Sequence, residues 1–175
     1  MSLRVREARP DDVEPIVEIG IRSWRKGFEG VVPPGLPHRE EMAERMRRRV
    51  RESVASVAVA ELDGSLCGWV TFGASRDEDA GPEVGEVYAL NVDPPTWRRG
   101  AGRALVAHAL ERLAAAGFSE AMLWTLADTP RSRRFYEALG YRHDGGTQRR
   151  PATGGALEVR YRIELSDPPK LRESG

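Results

Sequence analysis

A glycine-rich turn flanked by arginines is the strongest chemical signal in the sequence. Gly100-Ala101-Gly102 follows an apolar segment that ends at Val92, and it opens a stretch with helical periodicity. The first turn of a helix presents unpaired backbone N–H groups and the positive end of the helix dipole, which together favour phosphate. Glycine lets the backbone approach a ligand closely, and Arg98, Arg99 and Arg103 can hydrogen-bond phosphate oxygens. The turn therefore predicts a phosphate site at a helix start.

Two common phosphate-binding motifs do not fit this turn. A P-loop needs a lysine after its glycines, and no lysine follows Gly102. A dinucleotide-binding turn needs a third glycine three residues after the second, where Leu105 stands. The phosphate must therefore belong to a different class of ligand.

The residues around the turn resemble a known signature. Residues 92–102, V-D-P-P-T-W-R-R-G-A-G, are similar to the acetyl-CoA motif of the GNAT superfamily of N-acetyltransferases, a strand ending in V-x-P followed by [QR]-x-x-G-x-[GA]. Trp97 replaces the [QR] residue, but the family binds pyrophosphate mainly through backbone N–H groups. Residues 129–141 resemble the family's N-x-x-A-x-x-F-Y-x-x-x-G-[FY] segment, with Thr129 for asparagine and Ser132 for alanine. The resemblance spans residues 3–165.

The resemblance implies that acetyl-CoA is the cosubstrate and that no metal takes part. It also implies direct attack of an amine on the thioester in a ternary complex, without a covalent enzyme intermediate. The cofactor-binding residues carried over by position are Leu90, Asn91, Val92, Arg98, Arg99, Gly100, Ala101, Gly102, Arg103, Thr129 and Tyr136.

Two side chains are candidates for proton transfer. Glu86 lies on the strand that the family places beside the pantetheine, where many members carry a glutamate, and it is the candidate base. Period-two alternation predicts that Glu86, Tyr88 and Leu90 share one face of that strand. Tyr136 matches the family's tyrosine that protonates the leaving thiolate. The structural alternatives are an arginine partner for Glu86 and a core position for Tyr136.

The acceptor is the open part of the assignment. The resemblance places Trp24 and Phe28 in the substrate pocket, with core packing as the alternative for at least one of them, and Tyr88 is a further candidate. The resemblance implies a small-molecule or peptide amine as acceptor. The loops at 30–37, 75–83 and 145–155 would select that amine, and they carry no readable motif. A catalytically silent acyl-CoA-binding sensor or interaction module is the alternative function.

The elements that must position these residues follow from periodicity. Predicted helices run from the Asp11 N-cap to Phe28 and over residues 38–51, 100–116 and 131–139. Predicted strands cover residues 3–6, 54–61, 66–72, 85–92, 121–126, 141–143 and 157–165. The expected class is α/β (α+β), with a mixed, mostly antiparallel sheet of about six to seven strands flanked by about four helices. A single domain over residues 1–165 precedes a polar tail over residues 166–175.

Composition excludes several functions. The chain has 175 residues, with 27 basic and 27 acidic side chains, which argues against nucleic-acid or membrane partners that depend on net charge. Arg45 to Arg51 could contact nucleic acid, but interspersed glutamates favour a solvated helix face. Cys67 is the single cysteine, so an intrachain disulfide and a cysteine cluster for metal are excluded. We expect a cytoplasmic protein, and the oligomeric state is open between monomer and homodimer.

Overall fold

The computed structural model describes residues 1–53 and 55–165, so the predicted tail and Val54 lie outside the described residues. Seven strands form one sheet, and four α-helices pack against it. The strands are β1 Leu3–Glu7, β2 Ser56–Leu62, β3 Ser65–Ala74, β4 Val84–Val92, β5 Glu120–Leu126, β6 Arg142–Arg149 and β7 Leu157–Glu164. The helices are α1 Val13–Gly27, α2 Arg39–Glu52, α3 Ala101–Ala115 and α4 Pro130–Ala138.

The strand order across the sheet is β1-β2-β3-β4-β5-β7-β6. Neighbouring strands are antiparallel except for β4 and β5, which run parallel because α3 connects them as a crossover. This arrangement confirms the predicted class, a mixed and mostly antiparallel sheet flanked by four helices.

Each face of the sheet has its own apolar core. On one side, α3 presents Leu105, Val106, Ala109 and Leu113, and these pack against strand residues of the same cluster. On the other side, α1 and α2 cover the first strands through the side chains Val13, Ile16, Val17, Met42 and Met46. Burial of apolar faces at helical spacing explains why these segments are helices. None of the helices in the described ranges is long and apolar enough to cross a membrane.

The start of α1 differs from the prediction. A 3-10 turn over Pro10–Asp12 precedes the helix, and Asp12 rather than Asp11 stands at the N-cap position. The Asp12 carboxylate accepts the Arg9 N–H at 2.7 Å and pairs with Arg6 at 2.7 and 3.0 Å. The tertiary contact with Arg6 on β1 selects the second aspartate.

The predicted loop over residues 145–155 is partly strand. β6 continues to Arg149 and pairs with β7, with a register shift between His143 and Thr147. Gly145, at φ +90°, lies within this irregularity. The irregular part of β6 includes glycines that had been predicted to form a loop. The short turn that remains at residues 150–156 includes a 3-10 segment over Pro151–Thr153.

A β-bulge in β4 changes which residues share a face. Thr71 of β3 pairs with Ala89, whereas the next residue, Phe72, pairs with Val87, so Tyr88 is the extra residue. Leu90 consequently packs in the α3 core, whereas Ala89 packs in the α1–α2 core. The predicted common face therefore holds for Glu86 and Tyr88, which both contact Arg76, and is wrong for Leu90, because the bulge interrupts period-two alternation.

Candidate active site

The β4 and β5 strands separate part-way along their length. Their parallel pairing covers only Val84–Glu86 on β4 against Glu120–Met122 on β5, although β4 continues to Val92 and β5 to Leu126. The separated parts of the strands have backbone N–H and C=O groups that do not pair across the gap. Such groups must find another polar partner if they are shielded from water. The gap is suited to a ligand that hydrogen-bonds like a strand.

A groove on the α3 side runs from the part of β4 that does not pair with β5, at Leu90 and Val92, to the start of α3. Its volume is about 560 Å³, within the usual range of small-molecule sites. We call it the α3–α4 groove, and its lining residues are Ser23, Leu90, Val92, Thr96, Trp97, Arg98, Gly100, Ala101, Gly102, Arg103, Arg131, Ser132, Phe135 and Tyr136.

The helix start at one end of the α3–α4 groove is built for an anion. Gly100 adopts φ +91°, a left-handed backbone conformation that residues other than glycine rarely adopt. The Ala104 N–H donates to the Gly100 carbonyl at 3.0 Å, so the N–H groups before it precede the helical ladder. A Cβ on Gly102 would lie 3.2 Å from Phe135 Cζ, so its absence allows α4 to pack against this turn.

Trp97 and Arg131 form a stacked pair beside the helix start. The Trp97 indole N–H donates to the Val92 carbonyl at 2.7 Å, which fixes the ring. The Arg131 guanidinium carbon lies 3.6 Å from the ring centroid, within cation–π range. Partial burial lowers the pKa of Arg131. Arg131, Arg98 and Arg103 are the three arginines that line the groove. The sequence did not predict Arg131 as a site residue, because α4 is distant along the chain from the glycine turn.

Tyr136 lies on the same groove, on α4. Its ring packs against Phe135 and Tyr141, with centroids 5.1 and 5.8 Å apart. Burial raises the pKa of the phenol above its ordinary value. The neutral, protonated form is therefore favoured, as a proton donor requires.

Glu86 lies on the opposite side of the sheet, where the β4–β5 pairing ends. The neighbouring Gly85 faces α3, because a Cβ there would meet Leu113 at 2.9 Å, so Glu86 faces the α1–α2 side. Its side chain is 3% exposed and forms a salt bridge with Arg76. The Arg76 Nη2 and backbone N–H donate to the two carboxylate oxygens, each at 2.9 Å. The arginine partner expected as the structural alternative is therefore present.

The predicted substrate-pocket residues occur in two places. Trp24, in the last turn of α1, and Phe28, which directly follows this helix, contact each other edge to face, with centroids 4.9 Å apart. Tyr88 lies over the end of β3, where its hydroxyl donates to the Ala74 carbonyl. Arg49 and Arg76 both lie against its ring. We call Arg49, Arg76, Tyr88 and Glu86 the arginine–tyrosine cluster.

Comparisons with known proteins agree with this geometry. The profile of the Acetyltransferase (GNAT) family matches residues 20–141. The chain belongs to the GNAT family. This is an N-acetyltransferase family, and the protein is an acyltransferase enzyme. The expected resemblance, fold and reaction class are thereby confirmed.

Individual relatives of this GNAT enzyme give the same result. An uncharacterised N-acetyltransferase of Bacillus subtilis strain 168, YuaI, is 34% identical over 77% of each chain. The mycothiol acetyltransferase of Sanguibacter keddieii is 41% identical over 49% of this chain and 28% of its own. The PaiA N-acetyltransferase of Thermoplasma acidophilum, solved in complex with coenzyme A, superimposes with a TM-score of 0.76 at 18% identity. That match covers 93% of this chain and all of the other, and it shows the shared fold.

Three residues predicted to bind cofactor lie outside the lining of the groove in this GNAT enzyme. Asn91 is buried, 8% exposed, and alternates with the groove residues Leu90 and Val92. Thr129 is buried, and its hydroxyl donates to the Leu126 carbonyl at 2.8 Å. Arg99 is exposed at the turn. The other eight predicted cofactor-binding residues all line the groove.

Proposed function

We propose that this GNAT enzyme transfers the acetyl group of acetyl-CoA to a primary amine by direct attack in a ternary complex. The observation that carries the proposal is the early end of the β4–β5 pairing, because the part of β4 that β5 leaves unpaired lines the groove that ends at the glycine turn. A pantetheine arm contains amides that can pair with the separated strand. A pyrophosphate needs the backbone donors and cations found at the other end.

The chain's residues divide between the parts of the cosubstrate. Gly100, Ala101, Gly102 and Arg103 would hold the pyrophosphate through backbone N–H groups. Arg98, Arg103 and Arg131 would add positive charge. The β4 backbone at residues 90–92 would pair with the pantetheine. Acetyl-CoA itself supplies an activated thioester. The enzyme therefore mainly has to align the reactants, accept a proton from the amine and donate one to the thiolate.

Glu86 is the proposed proton acceptor. An alkylammonium with a pKa of about 10.4 is mostly protonated at neutral pH, so a base must accept its proton before or during attack. Glu86 marks the end of the β4–β5 pairing, and the gap begins just after it. Arg76 donates hydrogen bonds to both carboxylate oxygens of Glu86. The hydrogen bond from its guanidinium must therefore break before Glu86 can accept a proton on that oxygen.

Tyr136 is the proposed proton donor to the departing thiolate. Its ring lines the groove, and its raised pKa keeps the phenol protonated at physiological pH. Trp24, Phe28 and Tyr88 would contact the acceptor from the α1–α2 side.

Release of CoA from acetyl-CoA, followed with a thiol reagent over a panel of amines, tests the reaction. Saturable release with at least one amine, with the acetylated product identified by mass spectrometry, is the expected result. Submicromolar to micromolar binding of acetyl-CoA without turnover of any amine would favour the silent binding module. Absence of acetyl-CoA binding would reject both functions.

A further inference from the structure

Arg49 is a partly buried cation that has no carboxylate partner among residues 1–53 and 55–165. It projects from α2 toward β3, and its only side-chain hydrogen bond there goes to the Thr71 hydroxyl at 3.3 Å. Burial and the nearby Arg76 lower the pKa of Arg49 to about 10. Removing a charge from water without a counter-charge is costly, and the described neighbours of Arg49 are neutral groups and other arginines.

A second arginine and one aromatic ring complete the surroundings. The Arg49 and Arg76 guanidinium carbons lie 5.4 and 4.2 Å from the centroid of the Tyr88 ring. The Tyr88 ring lies on the same side of β4 as Glu86, and Gly73 makes room for it, because a Cβ there would lie 2.6 Å from the Tyr88 hydroxyl oxygen. The two cations are therefore positioned by the same bulged strand residue.

The charge of the cluster is not balanced. Arg76 pairs with Glu86, which leaves the charge of Arg49. Glu7 borders a small cavity that Arg49 also lines, but its carboxylate pairs with Arg112 at 3.3 Å. The nearby acidic loop differs, because Arg160 pairs with both Asp77 and Asp79. An anion would complete the cluster, whereas the loop already has its counter-charge.

We propose that Arg49, with Arg76 beside it on Tyr88, binds a carboxylate of the acceptor, so that the acceptor is an amino acid whose reacting amine lies at the far end of a carbon chain. This inference rests on the proposed acetyl transfer. Arg76 connects the proposed carboxylate site with the proposed proton acceptor, because it contacts both the Tyr88 ring and the Glu86 carboxylate. The chain's own residues then hold the acceptor at one end and accept its proton near the other.

Matched substrates test the carboxylate directly. Straight-chain amino acids with a terminal amine and three to six carbons are compared with their carboxamides, which have nearly the same shape but no charge at that end. We expect kcat/KM to be at least about tenfold higher for the acid at the best chain length, as for a hydrogen bond to a charged group. Arg49→Gln should remove that preference by raising KM for the acid, and Arg49→Lys should restore part of it. Equal rates for acid and amide, or an unchanged preference in Arg49→Gln, would overturn the inference.

A control and a binding measurement separate this inference from the proposed function. Arg48→Gln removes an exposed arginine from the same helix and should keep the preference. Modification of Arg49 by phenylglyoxal, mapped by peptide mass spectrometry, reports the site without turnover. Protection by 5-aminopentanoate but not by 5-aminopentanamide is expected even if no acetyl transfer is found. Equal modification rates with both compounds would reject the carboxylate site, whereas protection without turnover would reject only the transfer to these amines.

Discussion

The α3–α4 groove and the arginine–tyrosine cluster lie on opposite sides of the same strand, β4, and they are built differently. The groove uses backbone geometry: a helix start, a left-handed glycine and a strand whose pairing stops early. The cluster uses side chains from α2, the β3–β4 connection and β4. Nine of the groove residues lie between Leu90 and Arg103, whereas the four cluster residues come from three separate segments between residues 49 and 88.

This difference suggests how one fold serves many acceptors. Backbone donors recognise a constant ligand whatever the side chains are, so Trp97 can replace the residue typical of the family without loss of the site. Side chains from distant elements can change one at a time, and in the proposed function they set the charge and shape of the acceptor site. Substitutions in the two regions should therefore affect different kinetic constants.

The largest effect is expected from Glu86→Gln in the cluster. Loss of the proton acceptor should lower kcat by about a hundredfold at neutral pH. The deficit should shrink toward pH 10, because more of the amine is then already deprotonated in solution. A pH–rate profile of both enzymes measures this.

Glu158→Gln is the matched control for Glu86→Gln. Glu158 is equally buried and forms a salt bridge with Arg150 at 2.6 Å, but it lies on β7. Its loss should lower the free energy of unfolding and leave kcat nearly unchanged. Equal losses of kcat in the two variants would assign Glu86 a structural role.

Gly100→Val tests the groove. At φ +91° a branched residue is strained by about 2 kcal/mol, and relief of that strain would displace the N–H groups. We expect the Kd of CoA to rise on the order of thirtyfold in calorimetry. Gly64→Val, at φ +85° in the β2–β3 turn, should cost similar stability with no change in Kd. An unaltered Kd in Gly100→Val would contradict the pyrophosphate assignment.

Tyr136→Phe should lower kcat by about tenfold and leave the Kd of acetyl-CoA unchanged. Because burial raises the pKa of Tyr136, the phenol stays protonated as pH increases, so wild-type kcat should show no loss from its ionisation below pH 10. Tyr141→Phe is the control, since the Tyr141 hydroxyl is buried without a hydrogen-bond partner in the described chain. That variant should keep kcat and gain stability. A loss of kcat in Tyr141→Phe but not in Tyr136→Phe would reassign the donor.

The smallest effect is expected from Arg131→Ala, which removes one cation from the groove. The Kd of CoA should rise about fivefold, and the difference should narrow at high salt as electrostatic attraction is screened. Arg134→Ala, at an exposed position on the same helix, should change neither quantity. A salt-independent deficit in Arg131→Ala would point to lost packing on Trp97 instead of charge.

The sequence predicted most residues of the groove, but it did not predict that Arg49 and Arg76 lie beside Tyr88. The motifs at residues 92–102 and 129–141 combine local structure with the ligand contacts, because a helix start is formed by consecutive residues. Eight of the predicted cofactor-binding residues line the groove: Leu90, Val92, Arg98, Gly100, Ala101, Gly102, Arg103 and Tyr136. Arg131 was missed, since its contact with Trp97 depends on how α4 packs beside α3.

The sequence by itself determined the order of strands and helices, the family and the start of α3, because each depends on periodicity or on a run of neighbouring residues. Only the tertiary structure decided which residues share the α1–α2 side of β4. The bulge at Tyr88 separates Leu90 from Glu86, and helix packing brings Arg49 to Tyr88. Both depend on the alignment of strands and helices that are distant along the chain. The alternation of residues within one segment does not determine that alignment.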